Sequence, residues 1–308
     1  MRICIIGATG FIGRKTIDHL LRHSSDSIVA FSRSASSIDI KDYRLHLHDG
    51  SVFDETALTH ALKNCDAVIY LFHMMGSQTE DFEAGEAAAA KTYIRAAKAA
   101  GIQRTVFLGG LGDPHDRALS KHLRSRLATG RLLREHLDGV IELQASMVIG
   151  HGSVGFDIIR TISDTLPVIV IPRWAVTRTQ PILASDAIRY IAEAVHLPGS
   201  HNQVIGIGGP EVLTYRDIAA RYSKEVAAKR HILRRQPVLT LPGIPRWAAV
   251  WWLDHFAPSK AAGIGGPMVD SLSHEMIVRD AEARHRFPDI HPQRISFQYV
   301  LDTKKMDP

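Results

Sequence analysis

The chain has 308 residues, 45% of them hydrophobic and 22% charged, which is ordinary globular usage. Those proportions exclude a disordered chain, a collagen and a disulfide-stapled miniprotein. Lysine and arginine number 37 against 32 acidic residues, and the resulting net charge of +5 allows an anionic partner without identifying one.

The first half alternates short apolar runs with helical patterns. Ile3–Ile6 is expected as a strand and Phe11–Leu21 as a helix. Further strands are expected at Ile28–Phe31 and, with partial alternation, at Tyr43–Leu47; Glu55–Leu62 follows as a helix. Ala67–Phe72 is a continuous apolar run, the kind buried on both faces of a parallel sheet. An alanine-rich helix over Glu83–Ala99, a strand at Thr105–Leu108, a long basic helix over Leu119–Leu137 and a strand at Val140–Leu143 complete the alternation. This predicts an α/β fold with a Rossmann-type doubly wound parallel sheet.

Beyond Gly150 the pattern changes. Phe156–Thr165 reads as a helix, and Pro167, Pro172 and Pro181 punctuate short strands and turns. Ser185–Ala194 is expected as a helix capped by Ser185, Val204–Ile207 as a strand, and Thr214-Tyr215-Arg216-Asp217 as a capping box opening a helix to about Ala228. The rest reads as mostly helical, broken by Pro242, Pro245, Pro258, Pro267, Pro288 and Pro292. The expected organisation is a dinucleotide-binding domain over 1–150, completed by about 180–207, and a smaller, mostly helical substrate or cap part over 151–308. Cys4 and Cys65 sit in apolar runs without metal-ligand spacing, which fits a reducing, cytoplasmic setting. The start of the chain does not read as a signal peptide, and no apolar run is long enough to span a membrane.

The strongest motif is Gly7-Ala8-Thr9-Gly10-Phe11-Ile12-Gly13, between the first strand and the first helix. Glycine permits positive φ and lets backbone N–H groups approach a pyrophosphate, and the helix dipole favours the phosphates. The second strand ends in Ser32-Arg33-Ser34, where an NAD site expects an acidic residue; an arginine with two hydroxyls suits a 2′-phosphate. NADP(H) is therefore favoured over NAD(H). Arg14 is a second candidate phosphate contact. In His48-Asp49-Gly50-Ser51, the Asp49 carboxylate either accepts from the adenine amine or caps a turn. Phe72-His73-Met74-Met75-Gly76 would pass along the cofactor, with His73 either near the ribose or nicotinamide or in a solvated loop.

These motifs resemble those of an atypical short-chain dehydrogenase/reductase, and within that group the NmrA-like branch of NAD(P)H-binding proteins. The resemblance rests on the glycine turn, Arg33, Asp49, Leu108-Gly109-Gly110-Leu111-Gly112 and Gly209-Pro210-Glu211-Val212-Leu213-Thr214-Tyr215. It implies a Rossmann domain for the dinucleotide with a smaller part closing over a small-molecule substrate. It covers enzymes that reduce or isomerise small molecules and non-catalytic redox sensors that act through protein partners. The family's Tyr-x-x-x-Lys pair is missing, since no tyrosine here has a lysine one turn on, and Gly109–Gly112 takes the place of the usual serine. His122-x-x-x-Arg126 stands at the corresponding spacing. Either His122 replaces the tyrosine as proton donor, with His73 an alternative and Arg126 holding the cofactor, or this helix is a basic surface bearing Arg117, Lys121, Arg124, Arg131 and Arg134.

In the second half, Ser146, His151, Ser153 and Phe156 follow the sixth strand, beyond whose carboxyl end ligands bind in open α/β sheets. Trp174 and Arg178 either wall the substrate pocket or belong to structural loops. Trp247, Trp251 and Trp252 share one helical face, suited first to a core or subunit interface, then to a cap or a peripheral membrane contact. No phosphate loop, zinc motif, nucleophile elbow or nucleic-acid motif is present, and no metal is expected. The leading expectation is an NADP(H)-dependent oxidoreductase acting on a small carbonyl, imine or activated alkene, with room for a homo-oligomer or a protein partner. The alternatives are a non-catalytic NADP(H) sensor and a nucleotide-sugar epimerase.

Overall fold

A computed structural model describes residues 1–74, 82–116, 118–229, 236–256 and 269–303. The first half runs β1 (Arg2–Ile6), α1 (Phe11–His23), β2 (Ser27–Ser32), β3 (Leu45–Asp49), α2 (Glu55–Leu62), β4 (Ala67–Tyr70), α3 (Phe82–Ala100), β5 (Arg104–Gly110), α4 (Lys121–His136) and β6 (Val140–Ala145). After β6 come β7 (Val148–Ile149), α5 (Val154–Thr165), β8 (Ile169–Pro172), β9 (Arg178–Thr179), β10 (Ile182–Leu183), α6 (Ala184–His196) and β11 (Gln203–Ile207). The last elements are β12 (Leu213–Thr214), α7 (Tyr215–Lys229), β13 (Val238–Leu241), α8 (Arg246–Phe256), α9 (Glu282–Arg286) and α10 (Phe297–Thr303).

Seven strands form one parallel sheet in the order β11-β6-β5-β4-β1-β2-β3, the doubly wound Rossmann-type arrangement. The period-two geometry of a strand explains its layers. Along β1, Ile3 and Ile5 face α1 and α6, where they pack with Ile17, Leu20 and Tyr190. Cys4 and Ile6 face α2, α3 and α4, where they pack with Leu58, Tyr93 and Leu133. All four β1 side chains are essentially inaccessible, and burying each large apolar one contributes roughly 1.5–3 kcal/mol. Both cysteines are buried free thiols.

Local signals fix several helix starts. Asp54 accepts from Ala57 N–H at 3.0 Å to open α2, and Ser120 accepts from Leu123 N–H at 3.2 Å to open α4. Thr214 and Asp217 form the expected reciprocal box: Thr214 N–H donates to Asp217 at 2.9 Å and Asp217 N–H to Thr214 Oγ1 at 3.1 Å. A third apolar cluster holds the C-terminal part. There Phe156 stacks on Phe297 with centroids 5.8 Å apart, and both meet Tyr222.

Four sequence expectations change. β3 begins at Leu45, because the Arg44 guanidinium turns inward to the Leu21 and Ser24 carbonyls and leaves Tyr43 outside. Ser185 does not cap α6; β10 runs straight into the helix, with Leu183 at the cap position and no side-chain cap bond. The described residues after 236 are less helical than expected. Phe287, Ile290 and Ile295 are buried from an irregular wrap, in which Pro288 and Pro292 cannot supply helical N–H donors. The tryptophan helix α8 is not core: Trp247 is 73% and Trp251 53% exposed. Most of the basic helix is paired locally, Arg131 with Glu135 at 2.6 Å, Arg124 with Glu83 at 3.1 Å and Arg134 with the buried Glu142. Arg117, Met75, Gly76, Pro258 and Pro267 lie outside the described residues. No helix among the described residues is long and apolar enough to cross a membrane.

Candidate functional site

A cleft of about 950 Å³ opens at the carboxyl ends of β1, β2, β4, β5 and β6. Its floor is the glycine turn. Gly7 has φ +86°, and a Cβ there would lie 3.1 Å from the Leu71 carbonyl. A Cβ at Gly13 would run into the carbonyl oxygens of Gly7 and Ala8, so only glycine lets α1 sit this close to the turn. The first turn of α1 has no side-chain cap and no acidic residue, which leaves its N–H groups and positive dipole end toward the cleft. Thr9, Gly10, Phe11 and Ile12 line the same wall. This cradle fits a dinucleotide pyrophosphate.

At one end of the cleft, Ser32, Arg33 and Ser34 leave the tip of β2. Arg33 is exposed and makes no hydrogen bond or ion pair among the described residues, so its charge is available to a ligand phosphate. Arg14 is committed locally, donating to Thr9 O at 3.2 Å and Ser37 Oγ at 3.1 Å. Asp49 takes the turn role of its two options. Its carboxylate accepts from Ser36 N–H at 2.9 Å, which holds it below the usual carboxylate range, and it does not line the cleft. Gly50 does line it, with a Cβ there excluded by the Phe31 ring. Phe53 and Phe72, edge to face at 6.0 Å, add an aromatic wall.

At the other end, His73 and His122 both line the cleft, with ring centroids 5.0 Å apart. Behind them lies Glu86 on α3, 2% exposed. Its Oε1 accepts from His73 Nδ1 and from Met74 N–H at 3.1 Å, and its Oε2 from Ser125 Oγ at 3.0 Å. Burial alone would push this carboxyl up, but the His73 hydrogen bond, the Arg126 charge and the Met74 N–H outweigh it and hold Glu86 at about 2. Burial, then the Arg126 charge, lowers His73, against the hydrogen bond and charge of Glu86, which raise it. Burial, then His73 and Arg126, pushes His122 down to about 3. Arg126 borders the cleft, but its guanidinium turns away. It donates to Phe72 O at 3.2 Å and to Leu108 O, and stands 3.6 Å from Glu86, bracing the ends of β4 and β5 rather than reaching for a ribose.

The candidates from the second half divide. Ser146 lines the cleft, its hydroxyl donating to Gln180 O at 2.6 Å. His151 does not line it, although Gly152–Gly155 just beyond do. Phe156 is fully buried in the C-terminal core, while Ser153, which caps α5 at 3.2 Å, reaches the cleft. Trp174 donates to Ile244 O at 2.8 Å and Arg178 pairs with Glu275 at 2.7 Å, both outside the cleft. Residues that sequence reasoning passed over close the far wall: Tyr215, Ser271 and Met276. Tyr215 stood in a recognised motif, but nothing local to it signals a cleft.

Residues 7–147 match the family model described as NAD(P)H-binding. Among curated proteins, the chain is similar to the mitochondrial NADH dehydrogenase (ubiquinone) 1 alpha subcomplex subunit 9 of Mus musculus, 24% identical over 217 residues. The match takes in 67% of this chain and 56% of that relative, so the chain spans little more than half of the relative's length. Among solved structures, it is similar to a triphenylmethane reductase of Citrobacter sp. (14% identity, 100% of both chains, TM-score 0.74). It is also similar to an NADPH-dependent quinone oxidoreductase of Escherichia coli (16%, 98% and 99%, TM-score 0.70). A nucleoside-diphosphate-sugar epimerase of Staphylococcus aureus is comparably similar (14%, 97% and 98%, TM-score 0.73). At these identities the likeness establishes the fold.

Proposed function

We propose that this chain, whose residues 7–147 match the NAD(P)H-binding family model, is an NADP(H)-dependent oxidoreductase acting on a small carbonyl, imine or activated alkene, quinones included. The observation that carries this reading is that one cleft joins the glycine cradle and Arg33 to a half-buried pair of histidines. The dinucleotide, when bound, supplies or accepts the hydride. The chain's own residues do the rest. Gly7, Gly10, Gly13 and the first turn of α1 hold the pyrophosphate; Arg33, with Ser32 and Ser34, takes the 2′-phosphate; Phe53 and Phe72 wall one side. His122 exchanges a proton with the substrate oxygen or nitrogen in place of the missing tyrosine. Ser146, Tyr215 and Met276 bound the substrate space.

The test is NADPH consumption over a panel of carbonyls, imines, enones and quinones, with wild type beside His122→Phe. Turnover that falls in the variant supports the reading; full activity in the variant removes His122 from it. The missing Tyr-x-x-x-Lys pair favours a second reading, a non-catalytic NADP(H) sensor, which predicts tight cofactor binding without turnover on any member of the panel.

A further inference from the structure

His73 and His122 each carry a buried ring nitrogen with no hydrogen-bond partner, Nε2 on His73 and Nδ1 on His122. Buried polar atoms are almost always satisfied, so two such atoms on rings 5.0 Å apart call for one explanation. Glu86 supplies the start of it. Its ionised carboxylate can only accept, so the proton in its bond with His73 sits on Nδ1, which leaves His73 Nε2 as an acceptor. His122 Nδ1–H is the matching donor, reaching it through one buried water.

We propose that Glu86, His73 and His122 form a single hydrogen-bond relay, in which Glu86 fixes the His73 tautomer and His73 in turn orients His122 with Nε2 as its working nitrogen toward the cleft. Glu86 and His73 are thus positioning residues and His122 the group that meets the substrate. This rests on the oxidoreductase reading above. In the reductive direction, His122 takes a proton from solvent at Nε2. That N–H bond breaks as the substrate C=O π pair forms the new O–H bond and the carbon receives a hydride, and His122 returns to its neutral form. Oxidation of an alcohol runs the same proton back to Nε2. The imidazolium formed on the way is faced by three groups: Glu86 from α3, one ring away and favourable; Arg126 from α4, unfavourable; and His73 from the strand-end loop. The Ser125 and Met74 donors hold Glu86 in place throughout.

The relay is read without turnover, by long-range ¹H–¹⁵N correlation of the histidine rings at pH 7.5, with and without NADPH. Peaks are assigned from His73→Asn and His122→Asn. Both rings are expected as the Nδ1–H tautomer, and either ring found mainly as Nε2–H overturns the relay. Glu86→Gln is expected to release the His73 tautomer and lower kcat about tenfold or more, with NADPH affinity retained and partial rescue by Glu86→Asp. Unchanged tautomers and unchanged kcat in Glu86→Gln overturn it as well. Absence of turnover on every substrate would instead sink the oxidoreductase reading, while the wild-type tautomers still decide the relay.

Discussion

The two ends of the cleft are built differently. The glycine end is mostly backbone: a glycine turn and an uncapped helix start, joined by an exposed arginine with no partner among the described residues. The histidine end is side chain: the buried Glu86, Ser125 and Arg126 in one network with the half-buried His73, and His122 against it. On the proposed reading the first recognises a ligand feature that many molecules share, and it needs little of the rest of the protein. The second depends on distant segments meeting, and its electrostatics are set by burial. Perturbing each end should therefore separate binding from chemistry.

The largest effect is expected at the cradle. In Gly13→Ala the added methyl meets the Gly7 and Ala8 carbonyls, so NADPH affinity should fall more than about 100-fold, with stability lower by roughly 1–3 kcal/mol. Fluorescence titration and thermal unfolding check both, and retained binding would mean the turn does not carry the pyrophosphate. Next comes His122→Phe, which should lower kcat about 100-fold or more while NADPH affinity holds within about twofold. A parallel loss of affinity would blur the division between the two ends.

A smaller effect concerns pH. His122 is near 6.5 unfolded and about 3 folded, so the unfolded chain binds the extra proton as pH falls between those values. Its contribution to stability is thus complete above about 6.5 and shrinks toward pH 3. Between pH 7 and 5, wild type should lose on the order of 1–2 kcal/mol that His122→Phe does not lose, measured by denaturant unfolding. Equal pH dependence in the two proteins would show that His122 is not buried in its neutral form. The smallest effects belong to Trp174→Ala and Arg178→Ala, whose partners are Ile244 and Glu275 outside the cleft. NADPH affinity should stay within about twofold, and a larger loss would draw the second half's surface loops into the site.

The same contrast explains what could be read in advance. The seven-stranded sheet followed from apolar runs alternating with helices, and the cradle from Gly7–Gly13 placed between a strand and a helix, because both signals are local in sequence. The NAD(P)H-binding match over 7–147 covers that same half. Glu86 gave no signal inside an alanine-rich helix; its meaning comes from His73 and Ser125, which the fold brings to it. Phe156 looked like pocket by its place after β6, yet its partners Tyr222 and Phe297 arrive from the far end of the chain and bury it. Arg126 had the spacing for a cofactor contact, but the carbonyls at the ends of β4 and β5 hold its guanidinium.

The central claim is that this cleft is an NADP(H) site with Arg33 at its phosphate end. It is tested most directly by titrating NADPH and NADH into wild type and Arg33→Ala. A charge-assisted contact predicts that NADPH binds wild type about 10–100-fold more tightly than NADH does, and that Arg33→Ala brings the two together by weakening NADPH alone. Equal affinity for both dinucleotides in wild type, or a preference that survives Arg33→Ala, would contradict it.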